Sequence, residues 1–243
     1  MSIKICNLSK KYKDVLAVNN LNLEIRKGEL FSILGLNGAG KTTLIKMLTT
    51  IIKPTSGDAY INGYSIVNEA EKVKSLIDVS LQETAIARKL TVEENIEFYA
   101  KLNNLSKEEA LKQKEYVYNL FNLHPIKNKI AYKLSGGWQR KLSIALALIG
   151  NPQILFLDEP TLGLDVISRR ELWRAIDELK GKMTIILTTH YMEEAEALSD
   201  RIGIMKNGKL LFVGNKSELY SLTKENNVEL SFVKLVSGGN LND

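Results

Sequence analysis

The sequence predicts an α/β fold: a mainly parallel core sheet, an added antiparallel β-subdomain and an inserted α-helical subdomain. Three observations predict it. Short apolar stretches, "FSILG", "QILFLDEP" and "KMTIILTTH", each end in small or polar residues and lead into a helical pattern. That alternation indicates a parallel sheet with ligand chemistry at its carboxyl edge. Hairpin signals flank the middle of the chain at Lys27-Gly28, Asn62-Gly63 and Asn207-Gly208. Asn-Gly between alternating apolar residues suits a two-residue turn, because both central residues need positive φ. Between these signals stand two capping boxes, Thr91 with Glu94 and Ser106 with Glu109, each opening a helical run.

In chain order, residues 1–82 are expected to form the first part of the core with the antiparallel sheet. Residues 83–150 form the helical subdomain, and 151–220 the second part of the core. Residues 221–243 are a loosely specified tail ending "SGGNLND", read as a frayed terminus. A chain of 243 residues can bury one sizeable core with a smaller subdomain. A net charge of +5 suits an anionic ligand or an anionic membrane surface, but is too weak to argue for direct nucleic-acid binding. Cys6 is the single cysteine, which excludes an internal disulfide and a thiolate zinc site. The start "MSIKICNLSKKYK" is too polar for a signal peptide, and the apolar run from Leu142 to Ile149 is cut short by Gly-Asn-Pro. A cytoplasmic protein is expected.

Gly35, Leu36, Asn37, Gly38, Ala39, Gly40, Lys41, Thr42 and Thr43 follow a strand and precede a helix. This is the phosphate-loop pattern, and it makes the predicted fold a P-loop NTPase. Its glycines let backbone N–H groups close around phosphates, helped by the helix N-terminus. Lys41 is expected on the β- and γ-phosphates and Thr42 on Mg²⁺, so ATP and Mg²⁺ are the expected ligands. The strand "ILFLDEP" delivers Asp158 and Glu159 to the sheet edge. Asp158 suits a Mg²⁺ ligand, held through water, and Glu159 the residue that polarises the attacking water. Asp-Glu-Pro is also a common strand exit; the phosphate loop upstream is what favours the catalytic reading. His190 ends another apolar strand and is expected at the γ-phosphate or at the water with Glu159, whereas His124 beside Pro125 reads as structural.

"LSGGWQRKLSIALAL" opens an apolar helix with two residues that form helices poorly. With Ser135 as cap, and Gly136 and Gly137 permitting close approach, this is a second anion site. It has no second nucleotide in its own chain, so each copy is expected to complete the other's pocket.

Residues 1 to about 220 resemble, motif by motif and in order, the nucleotide-binding subunit of ABC transporters. The resemblance implies that "LSGGWQ" contacts the partner subunit's ATP through Ser135 and Gly137 in a head-to-tail homo- or heterodimer. It also implies that Tyr12 stacks on adenine, that Gln82 senses Mg²⁺, and that Asp165 of "TLGLD" links the two sites. The helical block resembles ATPases of the drug, lipid or polysaccharide export type. Such subunits dock on an integral membrane permease, here through Gln82 to Arg88, peripherally on the inner face of the membrane. Three departures stand out: Trp138 where glutamine is usual, Leu36 where proline is frequent, and Thr161 where serine is. Trp138 leaves a glutamine contact there in doubt; its ring suits packing within the helical subdomain.

Two other classes fit the residues less well. "GNKSEL" resembles a guanine-specificity motif, but Glu218 stands where Asp belongs, and an Asn-Gly hairpin precedes it. A non-transport ABC ATPase acting on ribosomes or nucleic acid usually has two cassettes, a long coiled coil or metal-binding cysteines. This sequence has one cassette and none of the rest.

Overall fold

The structure, a computed structural model, describes residues 1–238, which fall into two compact units: Met1–Ser75 with the chain from Lys180 onward, and Leu76–Leu179. In the first unit β1 (Ile3–Tyr12) and β2 (Val15–Ile25) form an antiparallel pair, with β4 (Ser56–Ile61) and then β5 (Tyr64–Ser65) added on the far side of β1. The β4–β5 turn at Asn62-Gly63 has φ of 47° and 91°, as the sequence predicts.

The Lys27-Gly28 expectation fails. β2 ends at Ile25 and β3 (Leu30–Leu34) belongs to a different sheet, paired in parallel with β8 (Thr184–Thr189) and β9 (Arg201–Lys206). The reason lies in burial. β2 alternates buried and exposed positions towards its end, as a strand with one solvated face does, while all five residues of β3 are buried. A strand covered on both faces belongs in a parallel sheet rather than in a hairpin. The turn that does join neighbours, Lys13-Asp14 between β1 and β2, carries no glycine; Lys13 takes φ 48°. The third signal holds, with β9 and β10 (Lys209–Gly214) antiparallel across Asn207-Gly208.

Helix α1 (Lys41–Leu48) follows β3, and α2 (Ala70–Lys74) is a single short turn. The second unit begins with β6 (Ile77–Ser80), parallel to β7 (Ile154–Asp158). Between them run α3 (Val92–Leu102), α4 (Lys107–Phe121) and α5 (Gly136–Ile149), and α6 (Val166–Asp177) follows β7. Both predicted capping boxes are formed. Helix α5 is buried without interruption from Arg140 to Ile149, which makes it the core of its unit.

The first unit closes with α7 (Met192–Leu198), α8 (Lys216–Thr223) and α9 (Val228–Ser237). The expectation of a frayed tail from residue 221 is therefore corrected over the described residues; 239–243 lie outside them. Val228 and Phe232 join Leu34, Ala195, Ile202, Ile204 and Leu219 in one apolar cluster. Burying two such side chains stabilises by about 2–3 kcal/mol each, enough to order a helix that propensity alone would not. Asn215 and Glu218, the residues that imitate a guanine-binding motif, form the capping box of α8. Among the described residues no helix is long and apolar enough to cross a membrane.

Candidate functional site

The first unit carries the phosphate loop. The Gly35 N–H donates to the Thr189 carbonyl at 3.2 Å, so β3 and β8 exit side by side and His190 follows directly beside the loop's start. The His190 ring, half-buried, stacks on Tyr191 with 4.1 Å between centroids. The loop is braced by the Ala39 N–H on the Leu36 carbonyl (3.1 Å) and by the Gly208 N–H, from the β9–β10 turn, on the Ala39 carbonyl (2.9 Å). Asn37 and Gly38 stand exposed at its tip.

Gly40 needs to be glycine twice over. Its φ is 107°, and a Cβ there would lie 2.3 Å from the Ala17 carbonyl oxygen. From it α1 starts with no side-chain cap and no acidic residue in its first turn, at the positive end of the helix dipole. Lys41 is 5% exposed, and its ammonium donates to the Gly35 carbonyl at 2.7 Å and the Leu36 carbonyl at 3.3 Å. Thr42 and Thr43 are half-buried in the same turn. Tyr12 ends β1 exposed, with the Lys10 ammonium 5.2 Å from its ring centroid.

The second unit carries the carboxylates. Asp158, the last residue of β7, is fully buried, and Glu159 is nearly so. Glu159 takes φ 50°, a left-handed conformation uncommon for a non-glycine residue. Gln82 is exposed, two residues beyond the end of β6. The stretch after it is pinned to α3: the Tyr99 hydroxyl donates to the Ala85 carbonyl, and buried Asn95 exchanges hydrogen bonds with the Ala87 backbone.

Ser135 occupies the N-cap position of α5, as predicted, but its side chain makes no cap hydrogen bond; Ser135 and Gly136 are exposed. The N-terminal amides of α5 thus lack the side-chain cap that α3 and α4 have. Gly137 faces a close neighbour, the Ser168 side chain. Trp138 packs within its own unit, the Lys141 ammonium 4.4 Å from its ring centroid, beside a cavity of about 260 Å³ that Phe121 and Glu171 also line. Lys141 in turn pairs with Glu171 at 2.7 Å. Asp165 caps α6, accepting from the Ile167 and Ser168 N–H groups and from the Ser168 hydroxyl. The Ser168 hydroxyl, then its N–H, holds the Asp165 carboxyl below its ordinary value.

Thus Gly35, Lys41, Thr42 and His190 are gathered in one unit, and Gln82, Ser135, Asp158, Glu159 and Asp165 belong to the other. One residue not foreseen joins two of the latter, Asp158 and Gln82. Arg140, buried in the second turn of α5, donates to backbone carbonyls at Asp158, at Pro160 and at Leu81–Gln82. Its sequence signal was an arginine in a helix otherwise apolar enough to be buried.

Comparison with known proteins accords with this geometry. The sequence profile of the family described as ABC transporter matches residues 18–162. The phospholipid-transporting ATPase ABCA3 of Homo sapiens is 43% identical over 217 residues, 88% of this chain and 13% of that protein. ABC transporter A family member 8 of Arabidopsis thaliana is 44% identical over 230 residues, 90% of this chain and 25% of that protein. The chain therefore spans between an eighth and a quarter of the length of these relatives. Among solved structures, an ATP-binding subunit of an ABC transporter superposes with a TM-score of 0.88 at 26% identity, covering 97% of this chain and all of the other. A dimeric ATP-binding cassette in a post-hydrolysis state, bound to ADP and Pi, superposes at 0.79 and 29% identity, covering 88% of this chain and 98% of that one.

Proposed function

Since the chain belongs to the ABC transporter family and carries its ATP-binding part, we propose that it hydrolyses ATP to drive export through an integral membrane permease, paired head-to-tail with a second nucleotide-binding subunit, identical or not. The observation that carries this reading is the phosphate loop: a buried Lys41 and an uncapped helix start, set beside the strand end that bears His190. Dimeric cassettes among the structural neighbours support the pairing, and the name of the human relative supports a lipid-like cargo. The place of action is then the cytoplasmic face of a membrane.

In this reading the loop amides from Gly35 to Thr43 and the Lys41 ammonium hold the β- and γ-phosphates. Tyr12 stacks on adenine. Thr42, Gln82 and Asp158 offer hydroxyl, amide and carboxylate oxygens, the hard donors Mg²⁺ takes in ones and twos beside phosphate and water. Mg²⁺, when bound, neutralises charge on the phosphate oxygens. Glu159 accepts a proton from the attacking water, and His190 donates a hydrogen bond towards the γ-phosphate. Ser135, Gly136 and Gly137 bind the partner's nucleotide, and Asp165 connects the two sites. Closure of the pair excludes water, which strengthens every charge contact around the γ-phosphate.

The test is affinity purification of the tagged protein from gently solubilised membranes, with ATP turnover assayed on the product. A stoichiometric integral membrane protein is expected. Recovery of ribosomes, nucleic acid or soluble partners alone would refute the transport role.

A further inference from the structure

Glu159 bears the proposed chemistry, yet its backbone lies in the left-handed region at φ 50°. That conformation costs a non-glycine residue about 1–2 kcal/mol, so its surroundings must hold it there. The carbonyls of the residues on either side of it share one partner. The Arg140 Nη2 donates to the Asp158 carbonyl at 2.7 Å and its Nε to the Pro160 carbonyl at 2.9 Å. The remaining Nη1 donates to the Leu81 carbonyl at 2.5 Å and reaches the Gln82 carbonyl at 3.4 Å. Arg140 is 5% exposed, so these bonds form in a low-dielectric setting where each is stronger than at the surface.

We propose that Arg140 is a positioning residue for ATP hydrolysis: one guanidinium holds the Asp158 and Pro160 carbonyls that bracket the strained Glu159 and ties them to the turn that presents Gln82. The proposal rests on the ATPase reading above. A planar fork with five N–H donors can address carbonyls on two segments at once. An ammonium cannot, because its donors radiate from a single atom. Arg140 lies five residues after Ser135 on the same helix, so the anion-facing end of α5 and the Glu159 backbone share one rigid element. Phosphate contact is left to the loop and Lys41, which makes Arg140 silent in ground-state affinity.

The experiment compares wild type, R140K and R140A, each as the full chain with its co-purified membrane partner. It measures MgATP affinity, KM, kcat per folded molecule and the free Mg²⁺ giving half-maximal rate. Expected for R140K are unchanged affinity and KM, a fall of about tenfold or more in kcat, and a higher half-saturating Mg²⁺. Ethylguanidinium added to R140A is expected to restore part of kcat, and this decides the matter if R140K is too unstable to assay. A merely structural role would lower the melting temperature while leaving kcat per folded molecule and the Mg²⁺ response at wild-type values. That result, or no recovery of kcat in folded R140A, would overturn the proposal alone. Absence of ATP turnover in wild type would overturn the ATPase reading and the proposal with it.

Discussion

The two glycines that open α5 should respond in opposite directions to the same substitution. A Cβ on Gly136 would meet nothing within 4 Å, whereas one on Gly137 would lie 2.9 Å from the Ser168 Oγ and 3.2 Å from its Cβ. Gly136→Ala therefore collects part of the helix-propensity difference, roughly 0.5 kcal/mol in a first turn. For a chain of this size that raises the melting temperature by about 1–2 °C. Gly137→Ala gains the same term, but must push Ser168 off its rotamer at about 0.5–1.5 kcal/mol. It also weakens the 2.6 Å bond from the Ser168 hydroxyl to the exposed Asp165 carboxylate. The net is a destabilisation of up to about 1 kcal/mol and a fall of up to roughly 4 °C. Ser168→Ala removes the Oγ that is struck first, so Gly137→Ala should cost less in that background. Thermal unfolding of wild type, the three single variants and the Gly137→Ala/Ser168→Ala double variant, all without nucleotide, gives every term. Equal shifts for the two single glycine variants, or additivity between Gly137→Ala and Ser168→Ala, would refute the steric account.

Lys41→Ala should abolish nucleotide binding in a titration with a fluorescent ATP analogue; retained affinity would mean that the loop amides suffice. Glu159→Gln should hold ATP in a stable dimer with little turnover, visible by size exclusion, and full turnover would remove Glu159 from its assigned role. Asp78, half-buried in β6, has its carboxyl pushed from 3.8 up to about 6, chiefly by burial. Between pH 4 and 6, roughly, the folded chain then holds more protons than the unfolded one, so this carboxyl's stabilising contribution is lost as pH rises through the window. Asp78→Asn should flatten that slope and raise stability at pH 7 by about 1–3 kcal/mol, the upper figure being the full shift at 1.36 kcal/mol per unit. Denaturant melts of the two proteins across pH 4–7 check it, and parallel pH profiles would exclude Asp78 as the titrating group.

What the sequence revealed is what neighbouring residues decide among themselves. The loop from Gly35 to Thr43, the boxes at Thr91–Glu94 and Ser106–Glu109, and the Asn-Gly turns are each complete within nine residues or fewer. The failures came where a distant element decides. Lys27-Gly28 has the composition of a hairpin turn, but β8 and β9 claim β3, and no residue near Gly28 announces them. The Lys13-Asp14 turn carries no such signal, because lysine, not glycine, takes the positive φ. In α9, Leu230, Val233 and the buried pair Val228 and Phe232 are apolar on several faces, which blurs the helical period. Packing on the cluster around Leu34 and Ile202 settles what the pattern leaves open.

Arg140 shows why a site can be complete in its motifs and still lack a working part on paper. Motifs record side chains that recognise one another or a ligand at set spacings. The acceptors of Arg140 are main-chain carbonyls, which every residue has, so neither Leu81 nor Pro160 advertises the bond. One clue was nevertheless available. The helix from Arg140 to Ile149 is apolar enough to be buried all round, and a guanidinium cannot go inside without acceptors. An arginine in such a helix, with no nearby carboxylate in the sequence to pair with it, demands carbonyls from somewhere in the same core. Strand exits and turns are where carbonyls stand unpaired by sheet or helix, and those are the segments that bear Glu159 and Gln82. A buried charge near a catalytic strand therefore identifies the backbone that must be held still, even when no motif names it.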